Sequence, residues 1–278
     1  MSNTWYRFRH NPLAMGGLIL ILFLIFAALF AKQIAPYNPY SMNISSRLST
    51  PDNSHWFGTD QFGRDILSRI IYGARISLQV GIISVGFSLI LGTVMGILAG
   101  YYGGWIDQLI SRMTDVLFAL PDILLALVIM AILGPSLTNL MLAIGIVYTP
   151  IFSRIARGAV LAVRDSLYIE AAYSMGVKER KILFHHILPN ILSPLVVQTT
   201  LSLAFAILAE ASLSFLGLGV SPDTPSWGMM LSEAKDWMEL AWWTAVFPGI
   251  AITLSVLSFN IVGDGLRDAL DPRSQRGK

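Results

Sequence analysis

Long apolar runs alternate with short polar stretches along this chain. Leu13 to Ala31, about Ile76 to Gly100, Val116 to Leu133, about Leu137 to Phe152, Ile191 to about Leu216, and Ala241 to Val262 each read as helix. About 20 apolar residues at 1.5 Å per residue cross a bilayer core, so the pattern predicts an all-α polytopic membrane protein with about six spans. The first run is longer than the core of a cleaved leader and lacks a small-residue cleavage site, so it reads as a retained span. Pro36 to about Tyr72 and Gly217 to Leu240 form external loops in this arrangement, and a charged segment lies between spans four and five.

Within the runs the spacing says more. Ser84, Ser88, Gly92, Gly96 and Gly100 recur every fourth residue, a stripe that lets a neighbouring helix approach closely. Pro121 predicts a kink or restart in the third span, whose start carries Asp107, Arg112 and Asp115. The fourth span holds Pro150 and ends near Arg154 and Arg157.

The charged segment, about residues 163–189, reads as two short helices in water. Leu167, Ala171, Ala172 and Met175 give the first a small apolar face suited to another protein's groove. Gly176 is the expected hinge. The second begins near Lys178, carries Ile182, Leu183 and Ile187 among charges, and is stopped by Pro189. An ordinary basic loop fits the same periodicity.

Composition narrows the class. With 278 residues, 54% hydrophobic and 13% charged, the chain is too apolar for a soluble domain of this size. It has no cysteine, which excludes disulfides and thiolate metal sites. Net charge is +2 with basic residues scattered between the runs, so nucleic acid is not an expected partner. Placing both termini inside puts 13 of the 19 Lys and Arg on the cytoplasmic side, in line with the positive-inside rule.

Candidate chemistry is sparse. No lysine stands in a Gly-Lys-Ser/Thr loop, so any ATP driving this protein is hydrolysed by another subunit. His185 and His186 are adjacent and point about 100° apart on a helix, which is no metal pair. Neither Gly-x-Ser-x-Gly nor His-Glu-x-x-His occurs, so no hydrolase is expected. Glu210 falls inside a span on one face with Thr199, Ser202 and Ala206. That face suits a polar pathway, or else Glu210 sits near the external end and pairs with an Arg or a backbone group. Gly58-Thr-Asp60 and Gly63-Arg-Asp65 place glycines among alternating charges, a recipe for tight turns with internal ion pairs.

Glu170-Ala-Ala, three residues, Gly176, then Leu188-Pro189 resembles the coupling loop of ABC importer permeases; His186 stands where that pattern often has Ile. Gly58-Thr-Asp60-x-x-Gly63-Arg-Asp65 is similar to the external segment of dipeptide, oligopeptide and nickel permeases. So are Arg9 to Met15, Ile34 to Pro39, Leu213 to Gly219, Pro225 to Gly228, Gly263 to Asp268 and Asp271-Pro272. The resemblance spans about residues 7 to 272. It implies a type I ABC importer permease in the inner membrane, both termini cytoplasmic, forming half of a translocation path. Its implied partners are a distinct second permease, two ATPase subunits that hold ATP and Mg, and an external solute-binding protein; the chain itself holds no cofactor, metal or catalytic residue. Glu170, Ala171, Ala172, Met175, Gly176, Lys178, Arg180 and Pro189 are then the ATPase-coupling residues. Thr199, Ser202 and Glu210 are pathway candidates, and Asp60, Arg64, Asp65 and Trp227 are candidate contacts for the binding protein. Short peptide is the implied solute, with nickel or a metal chelate as the alternative; a channel or carrier without ATP is the rival class. The expected divisions are 1–75 for tail, first span and loop, 76–267 for the permease core, and 268–278 for a polar tail.

Overall fold

The structure, a computed structural model, describes residues 2–219, 221 and 223–270. The motif residues Asp271 and Pro272, and Arg273, Arg276 and Lys278 of the charge argument, lie outside the described residues.

The described residues are predominantly helical. A short α1 (Ser2–Arg9) precedes α2 (Pro12–Leu29). Asn11 caps α2 by accepting from the Leu13 and Ala14 amides at 3.1 and 3.2 Å, and Pro12 sits where its missing N–H costs nothing. One turn, α3 (Ala31–Ile34), opens the long loop, which contains a single 3₁₀ turn at Ile44–Ser46. Then come α4 (Ile66–Tyr102), α5 (Gly104–Phe118), α6 (Asp122–Leu133) and α7 (Leu137–Arg164). After α8 (Leu167–Ser174) and α9 (Glu179–Ile182), a π turn at Leu183–Ile187 runs into α10 (Leu188–Phe215). The last helices are α11 (Trp227–Ala234) and α12 (Trp243–Leu270).

Five helices are long and apolar enough to span, and six spans result if α5 and α6, bent by 92° at their junction, count as one. The expected kink at Pro121 is therefore a right-angle break. Pro121 has no N–H for a continuing ladder, and it stands just ahead of α6 in extended backbone. Several boundaries also shift. Asp65 caps α4 by accepting from the Ser68 amide at 2.8 Å, so this helix starts at Ile66 rather than near Ile76. The division at 75/76 thus falls inside α4, and that at 267/268 falls inside α12. Arg154 and Arg157 do not end the fourth span either; α7 continues to Arg164.

Pro189 does not stop a helix. The Leu188 amide bonds to the Leu183 carbonyl five residues back, which moves the ladder one residue out of step just before the proline. The residue without a donor is thereby absorbed, and 179–215 is one helical rod of 37 residues.

The stripe on α4 works as its spacing predicts. A Cβ on Gly92 would lie 2.5 Å from the Thr149 carbonyl, and one on Gly100 would lie 2.9 Å from the Arg157 carbonyl. Ser88 Oγ donates to the Gly145 carbonyl at 2.7 Å, so α4 and α7 touch backbone to backbone over four turns. On the other side Gly17 of α2 meets Ser258 of α12, and Gly263 of α12 meets Thr200 of α10. Gly263 and Gly265 of the terminal motif are packing points, the latter against Ala14 and Phe8.

Candidate functional site

Two constellations occupy opposite ends of α4, which at 37 residues is about 55 Å long.

At its N-terminal end the long loop folds back on the bundle. Gly58 and Gly63 take φ of +74° and +71°, conformations that glycine adopts without strain, and they turn the chain around Asp60. Asp60 Oδ2 meets Arg64 Nε at 2.5 Å, and Arg64 Nη2 reaches Glu233 Oε2 of α11 at 2.7 Å. Arg69, 1% exposed, donates to the same Glu233 oxygen at 3.0 Å. Asp65 accepts from His55 Nδ1 at 2.9 Å while capping α4. Trp227 is buried on Gly73 and donates its indole N–H to the Ile70 carbonyl at 3.0 Å. Nearby, the amides of His55 and Ser54 donate to Asp52 and hold its carboxyl below the usual range.

The internal ion pairs match the turn chemistry of the sequence, but the contact role does not fit. Asp60, Arg64, Asp65 and Trp227 are all buried inside the chain and offer a binding protein no side-chain surface in this conformation. They fix the loop to α4 and α11 instead. Glu233, 164 residues from Arg69, has no signal in the sequence that would pair the two.

At the C-terminal end of α4 lies the charged segment. Ile169 and Ala172 of α8 and Ile182 and Ile187 beyond it are buried in one core with Val160 and Tyr101. Ala172 thus belongs to the inward face rather than to the presented one. Leu167 and Met175, at 83% and 76% exposure, stand outward with Ala171 and Glu170, and Lys178 and Arg180 are exposed beside them.

Gly176, the expected hinge, closes the end of α8 in this conformation. Its φ is +72°, its amide bonds to the Tyr173 carbonyl at 2.9 Å, and the Val177 amide bonds to Ala172 at 3.1 Å. This paired closure of a helix end fixes the turn into α9. The hydroxyls of Tyr173 and Tyr101 hydrogen-bond, tying α8 to the end of α4. Arg164 Nη1 donates to the Gly100 and Tyr101 carbonyls at 3.1 and 3.3 Å, and Arg157 forks onto Asp107 at 2.5 and 2.7 Å. Leu167 and Met175 are thus an uncovered apolar face on a firmly held helix, which water alone does not favour.

The third set is enclosed. Glu210 is fully buried; it accepts from Ser77 Oγ at 3.0 Å and Ser214 Oγ at 2.9 Å, which pins α10 to α4. Ser202 is buried with it, and Thr199 is half-buried. Glu210 and Ser202 touch no open surface in this conformation, and the partners of Glu210 are serines rather than the Arg or backbone group weighed for it. Among the described residues no group of three or more His, Asp or Glu stands close enough to hold a metal ion.

Residues 92–276 match the family described as binding-protein-dependent transport system inner membrane component. The chain belongs to this family. Residues 1–51 of the permease also match the N-terminal transmembrane domain of oligopeptide transport permease C. It is 53% identical to the dipeptide transport system permease protein DppC of Alkalihalophilus pseudofirmus over 95% of this chain and 87% of that one. Identity is 48% with the di/tripeptide transport system permease protein DppC of Pseudomonas aeruginosa, covering 98% and 92% of the two chains. It is 47% with the glutathione transport system permease protein GsiD of Pectobacterium atrosepticum, covering 97% and 90%. In fold the permease is similar to a chain of the MetNI methionine ABC transporter, with TM-score 0.62 at 18% identity over 74% of this chain and 98% of that chain. The fold is that of a type I ABC importer permease. As a member of the family the permease is a multi-pass transport component of the inner membrane, not an enzyme, and it works with a solute-binding protein and an ATPase.

Proposed function

We propose that this permease forms half of the path by which an ATP-driven importer carries short peptides across the inner membrane. The observation that carries the reading is that relatives 47–53% identical over nearly the whole chain are named as dipeptide, di/tripeptide and glutathione permeases. Both termini lie in the cytoplasm, and a related second permease completes the path. Two ATPase subunits bind ATP and Mg. Their groove receives the face of Leu167, Ala171 and Met175, with Glu170, Lys178 and Arg180 at its rim.

The bonding around α8 supports a mechanism. ATP closure moves the docked helix, and the Tyr173–Tyr101 link with Arg164 passes that displacement to the ends of α4 and α7. Because α4 and α7 are in backbone contact, they move as one body and change access at the far end.

The test is reconstitution of the full complex in vesicles with ATP and a labelled dipeptide. Accumulation that requires ATP and the binding protein is the expected result; accumulation of nickel alone, or dipeptide flux without ATP, would overturn the reading. Gly176→Leu gives a second check. Nothing lies within 4 Å of a Cβ there, so the cost is the left-handed backbone alone, about 1–2 kcal/mol. That should lower uptake about ten-fold with membrane insertion intact, as seen by uptake per inserted complex.

A further inference from the structure

The break between α5 and α6 leaves residues 119–124 exposed, with a charged side chain among them. Its depth follows from helix rise. Asp122 lines a cleft with Tyr148, which lies eleven residues, about 16 Å, along α7 from its start. Along α6 the same carboxylate stands about 18 Å from Gly134. Both routes place it near the middle of a hydrocarbon layer about 30 Å thick.

Lipid cannot be what covers this stretch. The peptides at Ala119 to Pro121 are outside any helix, and exposed irregular backbone is not tolerated in hydrocarbon. A bare carboxylate at mid-depth is costly for the same reason. Asp122 has neither an ion pair nor a hydrogen bond from its side chain among the described residues. Arg154, further along α7, is held by Asp115 at 3.3 Å and stacks on Phe118 at 4.3 Å. Tyr148 adds a second open group: the residue is 6% exposed, and its hydroxyl has no hydrogen-bond partner among the described residues.

We propose that Asp122 and Tyr148 form a mid-membrane subsite on the translocation path that receives a protonated amine of the passing solute. An ammonium group supplies the charge that the carboxylate lacks, a donor for the phenol oxygen, and a cation for the ring face. The free amino terminus of a peptide is such a group. The proposal rests on the importer reading above and adds a recognition step within the membrane to the selection made by the binding protein.

Because the chain has no cysteine, Asp122→Cys introduces a unique thiol. In the assembled complex with cysteine-free partners, a charged water-soluble methanethiosulfonate should modify it at least ten-fold faster than Val128→Cys, which is 51% exposed on the same helix. Equal rates at the two positions would overturn the proposal, since a neighbouring subunit and not water would then cover Asp122. Uptake of a dipeptide with a free amino terminus, measured per assembled complex, should fall at least ten-fold in Asp122→Asn and recover in Asp122→Glu; unchanged uptake in Asp122→Asn would also overturn it. If the wild-type complex carries no peptide at all, the importer reading fails, and the labelling rates still decide whether Asp122 faces water.

Discussion

Glu233→Ala should lower the thermal midpoint of the purified permease by roughly 10 °C, the scale on which a loss of about 3 kcal/mol appears in a chain of this length. One Glu233 oxygen accepts from Arg64 at 2.7 Å and from Arg69 at 3.0 Å, and both guanidinium groups are almost fully buried. Removing that carboxylate leaves two buried cations facing Asp60 alone, and Asp60 stands 3.6 Å from Arg69 Nη1. An uncompensated buried charge costs far more than a lost contact. The same argument predicts the rescue. Arg69 Nε has no hydrogen-bond partner, so Arg69→Met removes a cation that is only partly satisfied. The double variant should regain most of the loss, and a melting series of the two single variants and the pair measures the coupling. Additive midpoints would refute the network as the source of the effect.

How far the sequence told this in advance depends on the range of each interaction. The small-residue stripe was readable because helical period alone places Gly92, Gly96 and Gly100 on one face, and a face without side chains has only close packing to offer. The ion-pair character of the Gly58 to Asp65 turn was readable for the same local reason. Where the chain closes on distant partners, the reading went astray. Asp60 and Arg64 read as external contacts because sequence does not show Glu233 of α11, more than 150 residues on, closing over Arg64. Trp227 does so because sequence does not show it packing onto Ile70 and Gly73 of α4. For Glu210 a helical wheel shows the polar face it shares with Thr199 and Ser202 but not Ser77 on another helix, which bonds to it in this conformation. Pro189 looked like a stop because sequence shows the missing donor but not the π turn that absorbs it. In α8 the periodicity found a real apolar face but assigned Ala172 to the wrong side of it. Four apolar residues in eight leave the inward direction open until Ile182 and Ile187 fix it.

A second large effect is expected on that stripe. In Gly96→Leu the new Cβ would stand 2.6 Å from Ala156 Cβ and 2.8 Å from the Arg157 amide, and it would overlap the Ser153 carbonyl. These are backbone and first side-chain atoms, which cannot swing aside, so α7 must move bodily away from α4. Overpacking of this kind costs about 3 kcal/mol or more, and the permease should fail to elute as a single folded species with its partners. Gly86→Leu, on the same helix with nothing within 4 Å of its Cβ, should elute and melt as the wild type does. The reason the effect reaches function is geometric. Arg164 at the end of α7 holds the Gly100 and Tyr101 carbonyls, and α8 follows directly. Wedging α7 outward should therefore separate Tyr173 from Tyr101 and detach α8 from the end of α4. Gly96→Ala sets the same Cβ against those atoms without leucine's three further carbons, so it should also push α7 outward and lower the thermal midpoint, though less than Gly96→Leu, and lose much of the uptake per molecule of ATP. Wild-type coupling in Gly96→Ala would show that the α4–α7 contact holds the bundle together without transmitting its motion.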